Sequence, residues 1–232
     1  AIAAEAEDPL WATKLTDEQA KLAARYAPLE LNGVPSWLAS LVAAHPAAVD
    51  SVLGNELSLS LREPLERTEA IFLLQNVRHA PPRVTALFEP RILAWLDEAC
   101  ASNDGSGGEA VNRLSQVVET LLKSENPDTL KHLQELAGTE LAKGFQSKFA
   151  KVWMAVLMQL APGAGVDALE KGLSAIAPSA RGPGVGWFAA LFAHDSRGAT
   201  VDLRREEVAP TLLLRLTRLA YQHVRPGDDA HH

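Results

Sequence analysis

Pro35-Ser36-Trp37-Leu38-Ala39-Ser40-Leu41-Val42-Ala43-Ala44-His45-Pro46-Ala47-Ala48-Val49-Asp50-Ser51-Val52-Leu53 is the stretch that decides the fold. Proline is favoured in the first turn of a helix, where the N–H it lacks would have no intrahelical partner. Pro35 therefore opens one helix, through Trp37, Leu38, Leu41 and Val42. Pro46 opens the next, with Val49, Val52, Leu53 and Leu57 on one face. Only Ala44-His45 lies between them, so the two helices make a hairpin.

The same pattern extends in both directions. Upstream, Thr16-Asp17-Glu18-Gln19 reads as a capping box, and Ala20, Leu22, Ala23 and Tyr26 mark the expected buried stripe of a helix that runs to about Ala27. Downstream, Pro64 to Asn76 reads as an amphipathic segment through Leu65, Ile71, Phe72 and Leu74, closed by Pro81-Pro82. Val84 to Ala101 carries Leu87, Ile92, Leu93, Trp95 and Leu96. A flexible loop is expected near 102–109, at Asn103-Asp104-Gly105-Ser106-Gly107-Gly108, before a helix bearing Val111, Leu114, Val117, Val118, Leu121 and Leu122. Further helices are expected at Asp128 to Leu141, Phe145 to Leu160, Val166 to Ile176, Val185 to Phe192 and Glu206 to Val224. Each proline is read as a boundary, and strand-like alternation is hard to find anywhere.

A Trp-led pattern recurs. Trp37-Leu38-Ala39-Ser40-Leu41-Val42-Ala43, Trp153-Met154-Ala155-Val156-Leu157-Met158-Gln159 and Trp187-Phe188-Ala189-Ala190-Leu191-Phe192-Ala193 share Trp, a large apolar residue, Ala, a small residue or Val, Leu and a large apolar residue. Positions i, i+1, i+4 and i+5 share one side of a helix, and the common alanine lets a neighbour approach. The copies stand 116 and then 34 residues apart, so no regular array is defined. The expected fold is all-α: an irregular α-solenoid of stacked helical hairpins, HEAT- or TPR-like, forming one domain over 1–232. With no initiator methionine, the chain is expected to be a fragment of a larger protein. The last helix carries Leu212, Leu213, Leu214, Leu216, Leu219, Ala220, Tyr221 and Val224, too many for one narrow stripe. It is expected to pack on two sides or to leave an apolar patch.

Charge and cysteine usage narrow the function. A formal charge of -7 and a pI near 5.5 lack the positive surplus that recruits phosphate backbones, so no nucleic-acid partner is expected. One cysteine, Cys100, supplies neither an intramolecular disulfide nor a multi-thiolate metal site, which fits a reducing, cytoplasmic setting. Apolar runs such as Val152 to Leu160 fall short of the roughly 20 residues a membrane span needs, and Ala1 to Pro9 do not read as a secretory peptide.

No constellation of reactive residues emerges. His45, His79, His132, His194, His223, His231 and His232 include no His-Glu-x-x-His pair. His45 and His194 each follow a Trp-bearing helix, where an imidazole can serve the terminal carbonyls. His194-Asp195 lacks the companion ligands of a phosphohydrolase metal site. Cys100 lies near Asp97 and Glu98, whose charges oppose a thiolate. Gly105-Ser106-Gly107-Gly108 and Gly182-Pro183-Gly184-Val185-Gly186 lack the strand and the Gly-Lys-Ser/Thr of a phosphate loop. Glu206 and Glu207 suit a helix N-terminus. Arg215 and Arg218, with Arg204, Arg205 and Arg225, give the last helix a basic character that suits solvent, a neighbouring repeat or an acidic partner. No catalytic, cofactor-binding or metal-binding residue is assigned.

Tyr26 to Leu61, through Leu31-Asn32-Gly33-Val34-Pro35-Ser36-Trp37-Leu38, Ala44-His45-Pro46, Val49, Val52-Leu53 and Glu56-Leu57, resembles a helical hairpin in the repeat regions of large bacterial NACHT-type NTPases. Leu216-Thr217-Arg218-Leu219-Ala220-Tyr221-Gln222-His223-Val224-Arg225-Pro226-Gly227-Asp228-Asp229 is similar to a segment between consecutive repeats of such proteins. The resemblance implies a place in the helical, ligand-sensing part of a signal-transducing (STAND) defence NTPase whose nucleotide-binding module lies outside this chain. It carries no site residues. The expected function is a non-enzymatic interaction or sensor module, binding a protein partner or adjacent repeats of the same parent chain, without a cofactor or membrane. The alternative is a helical enzyme whose cleft is built from dispersed residues.

Overall fold

A computed structural model describes residues 2–29, 33–64, 70–102, 108–145, 147–175 and 209–223. Every regular element among them is helical. They gather into two compact units that divide between Thr129 and Leu130.

The first unit begins with α1 (Ile2–Glu7), a 3-10 turn at Trp11–Lys14 and α2 (Asp17–Tyr26). The capping box forms as its residue types dictate: Thr16 Oγ1 accepts from the Gln19 N–H, and Gln19 Oε1 accepts from the Thr16 N–H. The hairpin follows as α3 (Trp37–Ala44) and α4 (Pro46–Val49), with Pro46 in the first turn of α4 and a bend of 113° at the break. The second arm passes through a π-helical turn at Asp50–Gly54 into α5 (Asn55–Ser60). Trp37, Leu38, Leu41, Val42, Val49, Leu53 and Leu57 are all buried, and Trp37 meets the Trp11 ring edge-on, with centroids 6.3 Å apart.

α6 (Phe72–Arg78), α7 (Pro82–Ser102) and α8 (Gly108–Leu121) complete this unit. The helix expected from Pro64 begins only at Phe72; Pro64 and Ala70 are exposed and non-helical, and 65–69 lie outside the described residues. Ile71 and Leu74 are buried as expected, whereas Phe72 faces solvent. Pro90 departs from the boundary rule: it lies inside α7, exposed, at a position where the helix forgoes one backbone hydrogen bond. Of the loop expected near 102–109, Ser102 ends α7 and Gly108 and Glu109 open α8, while 103–107 lie outside the described residues. α3 and α5 pack against α7, and α6 packs against α8.

α9 (Pro127–Ala142) crosses the division, and the second unit continues with α10 (Ala150–Leu160), α11 (Pro162–Ala175) and α12 (Pro210–His223). α10 packs on α11, and α11 on α12. α10 starts five residues later than the apolar pattern suggests, because Phe145 precedes it in a turn. α10 is buried from Val152 to Met158, so Trp153 and Leu157 both sit in the core. The third Trp copy, at Trp187, lies outside the described residues. α12 buries Leu216 and Leu219 and exposes Leu213, Leu214 and Tyr221. Leu213 and Leu214 stand two turns from Tyr221, with exposed Thr217 and Arg218 between them. No single helix among the described residues is long and apolar enough to cross a membrane.

Candidate functional site

The face of α2 turned away from the core is the candidate. Ala20, Ala24 and Ala27 recur at i, i+4 and i+7 and are 0%, 0% and 4% exposed. Small side chains let this face lie close against α3, α4 and the π-helical turn. Leu22 and Tyr26 on α2, offset by two residues or about 200° around the helix, and Leu29 in the 3-10 turn at Ala27–Leu29 that follows it, are 53%, 58% and 69% exposed. Of the expected stripe, Ala20 is buried and Ala23 half-buried, while Leu22 and Tyr26 are corrected to the exposed side. Close helix approach selects alanine for the buried side and leaves the large apolar residues outside. Lys21, beside the stripe, is held by Glu18 at 2.8 Å, whereas Arg25, exposed one turn after Leu22 and next to Tyr26, puts a positive charge on this surface.

The polar residues singled out from the sequence are held in structural bonds. His45 Nδ1 lies 2.9 Å from Asp17 Oδ1, and its Nε2 lies 3.0 Å from the Ala12 carbonyl oxygen. The imidazole thus ties the hairpin bend to the start of α2 and to the first 3-10 turn, rather than serving the carbonyls of its own helix. Cys100 is half-buried in the last turns of α7 and forms no disulfide. Of the settings open to Arg215, solvent, a neighbouring repeat or an acidic partner, the structure shows a neighbouring helix: it binds Asp167 at 2.8 Å and Glu170 at 2.6 Å on α11. Arg218 is exposed on α12. His194, Arg204, Arg205, Arg225, Glu206, Glu207, His231, His232 and the second glycine cluster lie outside the described residues, as do Gly105 to Gly107 of the first. Among the described residues no three His, Cys, Asp or Glu side chains converge as metal ligands.

Other polar groups, which sequence spacing did not reveal, close helix ends. Buried Arg113 on α8 donates to the Leu61 and Glu63 carbonyls, the open end of α5, and pairs with Glu109. Gln116 Oε1 accepts from the Ile71 N–H at 2.8 Å, before the first turn of α6, and Thr85 Oγ1 donates to the Val77 carbonyl at its end. Arg91 grips Asp50 through two bonds of 2.7 Å over the π-helical turn. Glu109 and Arg113 stand at i and i+4, but the other partners are separated by 8 to 52 residues, beyond the reach of any local motif. Comparison with protein-family models, with curated proteins and with solved structures gives no match to this chain.

Proposed function

We propose that the chain is a non-enzymatic helical interaction module, and that the outward face of α2 receives an apolar surface of another protein. The observation that carries this reading is the exposure of Leu22, Tyr26 and Leu29 on the side opposite the buried alanines. Tyrosine is among the residue types that dominate the energy of protein contacts, and exposed apolar residues gathered together mark interaction surfaces. The acidic balance of the chain favours a protein partner over nucleic acid. In this reading the hairpins belong to an irregular α-solenoid, supported by the packing of the consecutive helices α10 and α11. The hairpin of α3 to α5, in the stretch that resembles NACHT-type repeat regions, supports a role as the sensing part of a cytoplasmic bacterial defence NTPase.

Photo-crosslinking in the native host tests the surface. A photoreactive residue at Leu22 or at Tyr26 should give the same discrete protein adduct, absent when the probe stands at exposed Glu56 on α5. The double variant Leu22→Asp, Tyr26→Asp should keep its helical circular dichroism and lose the adduct formed from a probe at Leu29. No adduct at any stripe position, or an equal adduct at Glu56, would overturn the reading.

A further inference from the structure

The outward face of α2 carries its charges and apolar residues in an order that complements itself. With Ala20 as the origin on the buried side, a helical step of about 100° per residue puts Leu22 at about 200°. Glu18 and Arg25 fall at about 160° and 140°, and Tyr26 and Gln19 at about 240° and 260°. All five are exposed. Leu22 therefore holds the centre, with Glu18 and Arg25 along one flank and Gln19 and Tyr26 along the other. At a rise of about 1.5 Å per residue, Glu18 lies about 6 Å before Leu22 and Arg25 about 4.5 Å after it.

A two-fold contact brings residue i onto j and j onto i. Two α2 helices laid antiparallel about an axis at Leu22 meet like flank to like flank, running in opposite senses. Glu18 of each copy then faces Arg25 of the other at nearly equal height, and Gln19 faces Tyr26. Half-buried Leu15, before the helix, and exposed Leu29, in the 3-10 turn after it, each stand seven residues from Leu22 and extend the apolar contact at both ends. Parallel helices would instead set Glu18 on Glu18 and Arg25 on Arg25.

The charges are available for this. Arg25 has no ion-pair partner among the described residues, and Glu18 meets Lys21 through Oε1 alone. Along α2, Asp17 and Glu18 balance Lys21 and Arg25, a neutral helix on a chain of charge -7 where two acidic copies can approach.

We infer that α2 docks antiparallel on α2 of a second copy of this chain, a proposal that rests on the interaction reading of this face and names its partner. One short helix on its copy is a small contact of the transient class, so a reversible dimer is expected.

Sedimentation equilibrium of the full chain, from micromolar to millimolar concentration, reads the association. Arg25→Glu should weaken the dimer at least about tenfold, equivalent to about 1.4 kcal/mol, because like charges then meet at both ends. Glu18→Arg should do the same. Mixing these two single variants should restore association as a one-to-one heterodimer, a recovery that a misfolded variant would not give. Leu22→Asp should keep its helical circular dichroism and sediment as a monomer. A monomer throughout the range overturns the inference, as does Arg25→Glu or Leu22→Asp dimerising like the parent, or a mixture that associates no better than its components. The crosslink from Leu22 separates this from the broader reading. An adduct holding a different host protein and never a second copy removes the dimer but keeps the docking face, whereas no adduct removes both.

Discussion

His79 closes α6, where the carbonyl end of a helix would ordinarily favour the protonated imidazole. Partial burial, then the positive charges of Lys123 and Arg78, act the other way and hold its pKa below the ordinary 6.5. The folded chain therefore binds this proton less readily than the unfolded chain. The resulting stability is fully present above the unfolded value near 6.5 and is lost as pH falls through the folded value. Proton NMR of the imidazole should give a midpoint below 6.5, moved upward by Lys123→Gln. A midpoint at or above 6.5 in the parent would contradict this account. His45 shows how much of such a residue is legible in sequence. Its place after a Trp-bearing helix was readable, but its partners Asp17 and Ala12 lie 28 and 33 residues away, so their choice belongs to tertiary packing.

At the scale of elements, Asp50–Gly54 is a local irregularity that meets a distant ion pair. The second arm of the hairpin widens into a π-helical turn where Arg91 of α7 reaches across to Asp50. A Cβ on Gly54 would lie 2.3 Å from Asp50 Oδ1 and 2.5 Å from Arg91 Nε. Gly54→Ala gains helix propensity of about 1 kcal/mol, but it must displace a bidentate ion pair whose side chains are each about one-third exposed. Net destabilisation of roughly 1 to 2 kcal/mol is expected by chemical denaturation. The variant Arg91→Ala should suppress most of that penalty, since it removes the group in the way. An equal penalty in both backgrounds would show that the turn itself, not the pair, demands glycine. Helix existence was legible here from Pro46 and the apolar spacing. The π turn was not, because no local pattern in these residues marks it, and the Arg91 that meets Asp50 there stands 41 residues away on α7.

For the molecule as a whole, two tryptophans drawn from one repeated pattern anchor different units. Trp37 lies in the first and Trp153 in the second, and each is 2% exposed. Trp37→Ala and Trp153→Ala should each cost about 3 to 5 kcal/mol in denaturant unfolding, with a helical circular dichroism spectrum retained before the transition. A loss below about 1 kcal/mol at either site would mean that the pattern does not mark core positions. By itself the sequence determined that the chain is helical, where the hairpin bends and which stretches hold the core, because proline placement, capping residues and a 3.6-residue period act within a few residues of one another. Only the tertiary structure decided which side of α2 is inside and which arginines and glutamines close which helix ends. Those outcomes depend on how closely two helices can approach and on which polar groups lose water when they do. Both are properties of neighbours that are distant in sequence and meet only in the folded chain.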